Sequence, residues 1–411
     1  MTLMSGTMLS QVISILLSPI LTRLYTPDQY GLLGLFAAIV STISVVATGK
    51  FETAILLPKT DDKAYSLAKL SFRILSIITA INLVILVLFK DQLLTIFNAT
   101  ALDSYVYLTL ISIFSIGGFN IYSNLLNRFK RYKGLAASKV VKTSGSTLSQ
   151  LGFGVLNFGF IGLLLGRIIG DFSGLVLTSY FTKKTPRYKT AKSVEIKEPI
   201  SKIAKEYEEF PKITAPQSFI NTASASFPVL ILSTFFTSSI VGLYTQCIKV
   251  TYLPITIISA STYQVFSQKI TALYNESKTI YGITISTIKK LSLIGAIPFI
   301  ILMLFAPFLF AFVFGDEWRE SGRYAQVLAP YLFLNYLTNP LAYIPILLKQ
   351  QKKVFTIHII YLILRIAALL VGVYFKSAFI SVSSFSLVGF LTLSYVFFWY
   401  LKLAKSTISS N

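Results

Sequence analysis

About twelve apolar blocks, each near the ~20 residues a helix needs to cross a bilayer, fill this sequence, and a single long polar run interrupts them. Inside hydrocarbon every backbone N–H and C=O must find a partner within the protein, and a helix meets this demand within its own segment. The blocks are far longer than the about 10 residues of a membrane barrel strand. The sequence therefore reads as an all-α, polytopic membrane protein, with about 12 transmembrane helices in two six-helix bundles. Mean hydropathy is +0.70. Only 13% of residues are charged, against roughly 25% in a soluble domain.

The polar run, Lys183–Lys212, carries nine Lys or Arg against five Glu. Basic connections resist translocation and stay in the cytoplasm. It divides the chain into a first bundle (1–182), a cytoplasmic basic linker (183–215) and a second bundle (216–411). A solvated linker touching lipid headgroups is its plain reading. From Ile196 onward it can also form a short amphipathic helix, with Ile196, Ile200, Ile203 and Tyr207 on one face. Spans are expected near 4–24, 31–57, 65–89, 104–126, 139–157 and 160–182, then near 216–236, 240–266, 283–312, 325–348, 354–375 and 379–402. Their connections alternate in charge. One set holds Lys59 and Lys63, then Arg128, Lys130, Arg131 and Lys133, then the polar run, Lys269 and Lys278, and Lys349, Lys352 and Lys353. The other set is short and has few cations. An even helix count places both termini in the cytoplasm, and the connections then follow the positive-inside rule.

The net charge of +21 does not imply nucleic acid, because the cations sit in separate short connections and not in one groove. One cysteine, Cys247, and one histidine, His358, cannot build a Cys/His metal site. No resident cofactor is expected. The start of the chain lacks the cationic region of a signal peptide and reads as a retained first helix. A shift of 211 positions lays Thr26 on Thr237, Gly31 on Gly242 and Leu32 on Leu243, which suggests a duplicated unit. A repeat of six helices keeps its orientation, so its symmetry axis runs along the membrane normal, and a cleft between the bundles is the default substrate site. Prolines recur inside the spans, at Pro19, Pro228, Pro254, Pro298 and Pro307. Three more, Pro330, Pro340 and Pro345, predict a bend in the tenth helix.

Ionisable residues deep within spans are the informative ones, because each costs at least ~2.5–3.5 kcal/mol there unless it meets a partner or water. They are Lys50 and Glu52, Arg167 and Asp171, Lys249, and Arg365. Lys69, Arg73, Lys139, Lys142, Lys289 and Lys290 lie toward span ends, where they can snorkel. Arg167 and Asp171 are four apart on one helical face and can pair. Lys50 and Glu52 are two apart and point to different faces, with Glu52 near a snorkelling depth. Lys249 and Arg365 lie near the midplane with no acid on their own faces. Asp171 and Glu52 are thus candidates for charge pairing or ion coupling. Lys249, Arg365, Arg167 and Lys50 are candidate cavity cations that bind substrate. Four cations against two acids favour an anionic solute, and Arg and Lys suit phosphate. Tyr244, Tyr252, Tyr263, Tyr331, Tyr336 and Tyr343 are placed to contact sugar rings, or simply to pack.

Three stretches carry a family resemblance. LTRLYTPDQYGLLGLF (Leu21–Phe36), FETAILLPKTDDKAYSLAKLS (Phe51–Ser71) and FGDEWRESGRYAQVLAPYLF (Phe314–Phe333) resemble signatures of bacterial Wzx-type polysaccharide flippases, and FPKITAPQSFINTASASFP fits beside them. These flippases form the polysaccharide-transport branch of the superfamily that holds the MATE exporters. The resemblance implies a twelve-helix, two-bundle fold with a cationic central cavity, in the bacterial inner membrane. It implies translocation of an undecaprenyl-diphosphate-linked oligosaccharide repeat unit, as in O-antigen or capsule assembly. It also implies coupling to a proton or sodium gradient, and a polymerase and a chain-length regulator of a Wzy-dependent pathway as partners. Arg23 and Asp28 flank the first outer turn and are placed to pair as an outer gate. Trp318, Arg319 and Tyr324 sit where an outer interface anchor belongs.

Two other functions compete. A cation-coupled exporter of small drugs shares the fold class, but cationic drugs prefer acidic cavities. A membrane glycosyltransferase, such as a polymerase or ligase, needs a larger outer face than these short connections supply. Gly152-Phe153-Gly154 lies within a span and reads as close helix packing, not as a nucleotide loop. The protein is therefore read as a transporter, not an enzyme.

Overall fold

The computed structural model describes residues 2–193 and 199–407. Glu195, Ile196, Lys197 and Glu198 of the polar run lie outside the described residues, as do both ends of the chain and the side chain of Pro254. Among the described residues every regular element is helical.

The first apolar block breaks at Leu17, between α1 (Thr2–Leu16) and α2 (Ser18–Leu24), next to Pro19 in the first turn of α2. Thr26 then caps α3 (Pro27–Ser44): its hydroxyl accepts from Gln29 N, and its own N–H donates to the Gln29 side chain. The span expected over 31–57 does not run through. The chain leaves the helix at Ser44, turns through Gly49 and Lys50 at φ near +60°, and resumes only as the short α4 (Phe51–Ala54). Next come α5 (Asp61–Ile96), kinked at Phe89, then α6 (Leu108–Arg128), α7 (Tyr132–Val155) and α8 (Gly159–Lys183). The polar run holds α9 (Pro186–Ser193) and α10 (Ile200–Glu206). A π-helical turn, Phe210–Thr214, leads into α11 (Ala215–Phe235), followed by α12 (Ser238–Asn275) and α13 (Tyr281–Phe314), which stays continuous through Pro298 and Pro307. The tenth segment gives way at its prolines: α14 (Arg319–Thr338), a 3-10 stretch over Asn339–Tyr343, and α15 (Ile344–Leu347). The chain ends with α16 (Gln351–Tyr374) and α17 (Ala378–Ser406).

Eight of these are long and apolar enough to cross a membrane: α5, α6, α8, α11 with its π-helical turn, α12, α13, α16 and α17. The protein is thus a multi-pass membrane protein by helix length and composition. The other four expected segments are helical too, but are broken, shorter or more polar.

The described chain forms two compact units, Met1–Gly242 and Leu243–Asn411. The core of the first gathers Phe36, Val40, Ile55, Leu67, Ile113 and Ile121. That of the second gathers Phe266, Ile270, Leu341, Ile344, Trp399 and Tyr400. The polar run is not simply solvated. Ala191 of α9 and Ile203 of α10 are buried, and Ile200, Tyr188 and Tyr207 pack on the first core. Ionic contacts fix it there: Arg187 Nε donates to Asp61 Oδ2 at 2.8 Å, and Lys63 Nζ lies 2.5 Å from Glu206. The short run of apolar residues at i, i+3 and i+7 thus finds protein in place of lipid headgroups.

The repeat seen in the sequence has a local counterpart. Thr26 and Thr237 accept from the backbone N–H groups of Gln29 and Ile240, opening α3 and α12 in the same way. A Cβ placed on Gly31 would stand 1.7 Å from the carbonyl oxygen of Ser238, and one on Gly242 1.8 Å from that of Pro27. The shift of 211 that pairs Gly31 with Gly242 also pairs Pro27 with Ser238. The contact is therefore reciprocal, as between copies of one motif.

Candidate functional site

Arg365 stands out in the second unit by the company it keeps. Its guanidinium carbon lies 4.1 Å from the ring centre of Phe385 on α17, 4.8 Å from Tyr361 and 5.8 Å from Tyr331 on α14. Tyr361 precedes it by one turn of α16, so the two share a face. Tyr331 and Phe385, both buried, meet edge to face at 5.9 Å and complete the wall. Tyr244 and Tyr252 of α12 are further electrostatic neighbours of the guanidinium. Three rings from three helices, α14, α16 and α17, thus hold one cation, with two further tyrosines in its field, and no carboxylate is among these partners.

The π faces hold the cation without neutralising it. Such a contact is worth up to about 2 kcal/mol when desolvated. Arg365 Nε is buried with no hydrogen-bond partner, as are the Tyr361 hydroxyl and Asn335 Oδ1, one turn beyond Tyr331 on α14. The arrangement presents a fixed positive charge with an unused N–H donor, together with tyrosine hydroxyls. An anion with several oxygens satisfies such a set. Lys249 is half-buried on α12 and has interactions of its own. It lies three residues before Tyr252 and shares that helical face.

The remaining tyrosines divide. Tyr244, Tyr252 and Tyr331 belong to the group around Arg365. Tyr263 and Tyr343 form a T-shaped pair at 6.0 Å. Tyr336 packs between Phe299 and Phe333, its ring against Gly295, and is core.

The first unit handles its charges differently. Asp171 on α8 is 1% exposed and lies between two cations: Arg167 Nε donates to its Oδ2 at 3.1 Å, and Lys142 Nζ lies 3.0 Å from its Oδ1. Lys142 was expected to snorkel. Instead its ammonium turns inward to Asp171 and also rests 4.9 Å over the ring of Phe119. Close helix packing brings it there. Gly162, Gly166, Gly170 and Gly174 recur every four residues on α8. Cβ atoms on them would clash with Phe153, Gln150, Ser146 and Lys142 of α7, at 2.4–2.9 Å. This small-residue stripe lets α7 and α8 touch along their length. It is the sequence signal that could have placed Lys142 opposite Asp171. Gly152 makes no such contact, while Gly154 meets Tyr25 and Leu24.

Lys50 and Glu52 do not point apart. The left-handed turn at Gly49 and Lys50 folds the lysine back, so that its Nζ lies 3.8 Å from Glu52 Oε1. Glu52 is 3% exposed, far from a snorkelling position, and its other oxygen accepts from the Thr48 hydroxyl. Arg23 and Asp28 are both exposed, and among the described residues no ion pair joins them. The first turn is held instead by Thr26 and Gln29. Trp318 and Tyr324 are buried, not interfacial anchors. The turn at Gly315, with φ +108°, sends the chain back so that the indole enters the protein.

A family model described as polysaccharide biosynthesis protein matches residues 20–323. No curated protein sequence matches the chain. Among solved structures, an inward-facing multidrug resistance MATE family transporter of the MOP superfamily superimposes with a TM-score of 0.76 at 16% identity, covering 100% of this chain and 96% of the other. The lipid II flippase MurJ, in an inward closed conformation, gives 0.76 at 13% identity, covering 99% and 90%. At such identities the likeness shows the fold.

Proposed function

The chain belongs to the polysaccharide biosynthesis protein family, and from that premise we propose that it is a flippase that moves an undecaprenyl-diphosphate-linked oligosaccharide repeat unit across the bacterial inner membrane by alternating access. In this reading it has twelve spans, repeats over 1–182 and 216–411 joined by the basic stretch 183–215, and both termini in the cytoplasm. It works beside a polymerase and a chain-length regulator, and performs no catalytic step.

The observation that carries the proposal is the buried Arg365, ringed by aromatics and without a carboxylate partner. A diphosphate leaving water must meet positive charge. A site that grips it too firmly would halt transit, because the lipid must be released on the other side. A guanidinium held by rings, with a half-buried ammonium at Lys249, fits that compromise. The tyrosine faces suit sugars. A lipid II flippase among the structural relatives supports a lipid substrate. MATE multidrug transporters share the fold, but a cage without acids disfavours cationic drugs. Arg167 and Lys50, each engaged with an acid, contribute to the field more than to contact. Glu52, with one cation at 3.8 Å and a hydroxyl, is better placed than Asp171 for coupling to a proton or sodium gradient.

The test is polymer export in a strain lacking the native gene, with membrane abundance measured in parallel. Arg365→Ala should lower export about 10- to 100-fold at normal abundance, the loss of one or two charge-assisted hydrogen bonds. Arg365→Lys should keep part of it, and Lys249→Ala should fall between. Full export by the Arg365→Ala, Lys249→Ala double variant removes both residues from the mechanism.

A further inference from the structure

Among the described residues, four cations elsewhere in the first unit have no acid to answer them. Lys130, Arg131, Lys133 and Lys184 line a cavity of about 710 Å³ where the end of α6, the start of α7 and the end of α8 meet, with Tyr132 and Phe181 as its apolar wall. All four are exposed, and no Asp or Glu lines the cavity. Lys184 lies 5.6 Å over the ring of Tyr180 and 3.4 Å from its hydroxyl. The neighbouring cations show the alternative. Arg128 and Arg187 share Asp61, and Arg128 also donates to the carbonyls of Ile55 and Thr60. The nearby acid is therefore already engaged.

The cavity is built by the backbone. Lys130 adopts φ +56°, and the N–H groups of Lys130 and Arg131 donate back to Asn127 and Leu126. The chain reverses there at once into α7, 24 residues long, whose first turn joins the lining. A Cβ on Gly134 would lie 3.1–3.3 Å from Phe181, so α7 starts flush against α8. The positive end of the α7 dipole adds to the four side chains.

We propose that this cavity is a binding site for the phosphate headgroup of a membrane lipid. Four cations and a helix N-terminus select phosphate. The place selects a lipid: the cavity lies at the ends of two spanning helices, α6 and α8, and exposed Tyr132 sits beside it as an aromatic does at headgroup depth. Basic pockets between spanning helices bind anionic headgroups in this way. The volume suits a headgroup better than a lone ion. Two sources share the chemistry, an anionic phospholipid and the diphosphate of a lipid-linked glycan. The site stands on the geometry of the first unit and does not depend on the transport reading.

Purified full-length protein in neutral detergent is titrated with phosphatidylglycerol, with phosphatidylcholine and with undecaprenyl diphosphate, reading bound lipid by native mass spectrometry. Each cation near an anionic headgroup is worth about fivefold in affinity. The Lys130→Ala, Arg131→Ala, Lys133→Ala, Lys184→Ala variant should therefore lose at least ~10-fold for the preferred phosphate lipid. A control variant with the same charge change in the second unit (Lys289→Ala, Lys290→Ala, Lys349→Ala, Lys352→Ala) should bind as the parent does. Selective loss for phosphatidylglycerol identifies the phospholipid as the source, and selective loss for undecaprenyl diphosphate identifies the glycan carrier. Equal loss for both means one site serves both. The proposal is overturned if the cavity variant binds like the parent, if the control variant loses as much, or if neither phosphate lipid binds better than phosphatidylcholine.

Discussion

Among the described residues, both buried acids of the first unit, Asp171 and Glu52, have a cation within 4 Å; in the second, Arg365 has rings around it and no carboxylate partner. The side chains are of similar chemistry, but their partners give them different work. A carboxylate between Lys142 and Arg167 is a bolt: it joins α7 to α8, and removing it strands two cations. A guanidinium among π faces keeps its charge in place and not neutralised, and under the proposed function it is the receptor. Depth in the membrane therefore does not separate structural charge from functional charge. What separates them is whether the protein itself supplies the counter-charge.

The sharpest way to break this comparison is Asp171→Asn. It leaves Lys142 and Arg167 facing each other without their acid. The cost should be about 3 kcal/mol, at the low end for a broken buried pair because both cations are partly exposed. It is read as lower membrane abundance and a lower melting temperature in detergent, partly restored by adding Arg167→Gln. Normal stability with lost export would make the first unit's acid functional and erase the contrast. Next in size is Asp61→Asn, which weakens the acceptor shared by Arg128 and Arg187. About 2 kcal/mol is expected, since hydrogen bonds to charged groups are strong but Arg187 is half exposed. Protease cutting within Lys183–Lys212 should increase as α9 loosens; unchanged cutting would mean that the apolar contacts alone hold it.

Arg365→Met sharpens the comparison from the other side. It removes a buried charge without stranding a carboxylate, so the melting temperature should hold or rise while export falls. A melting temperature lowered as far as in Asp171→Asn would give Arg365 a hidden partner and make it a bolt too. The smallest effect belongs to Lys50→Gln. Its contact with Glu52 is long, at 3.8 Å, and worth less than about 1 kcal/mol. Glu52→Gln should likewise leave abundance near normal, but should abolish the response of export to a collapsed ion gradient. An unchanged gradient response would remove Glu52 from coupling.

How much of this was legible depended on range. Helices were readable because their apolar blocks are local, and Arg167 with Asp171 because one turn separates them. The isolation of Arg365 was readable as a missing acid at i±3 and i±4, but its contacts with Tyr331 and Phe385 were not, because those rings come from other helices. Lys142 was missed because its acid lies on another helix, although the glycine stripe of α8 announced the approach. Lys50 and Glu52 were misplaced by assuming an unbroken helix through Gly49, where the backbone is left-handed. Trp318 was misread because it lies in a short outer connection, where an interface anchor belongs, and only the turn at Gly315 shows that it goes inward.

The contact of Gly31 and Gly242 has a genetic consequence. Each glycine meets a main-chain oxygen and not a side chain. When a larger residue crowds a side chain, a second mutation can trim the neighbour and restore room. Here there is nothing to trim, because a carbonyl is present whatever the residue. A selection for suppressors of Gly31→Ala should return true reversion to glycine, and no compensating change at Ser238 or Gly242. Codons 31 and 242 are therefore fixed by the carbonyls of Ser238 and Pro27, which no substitution can alter.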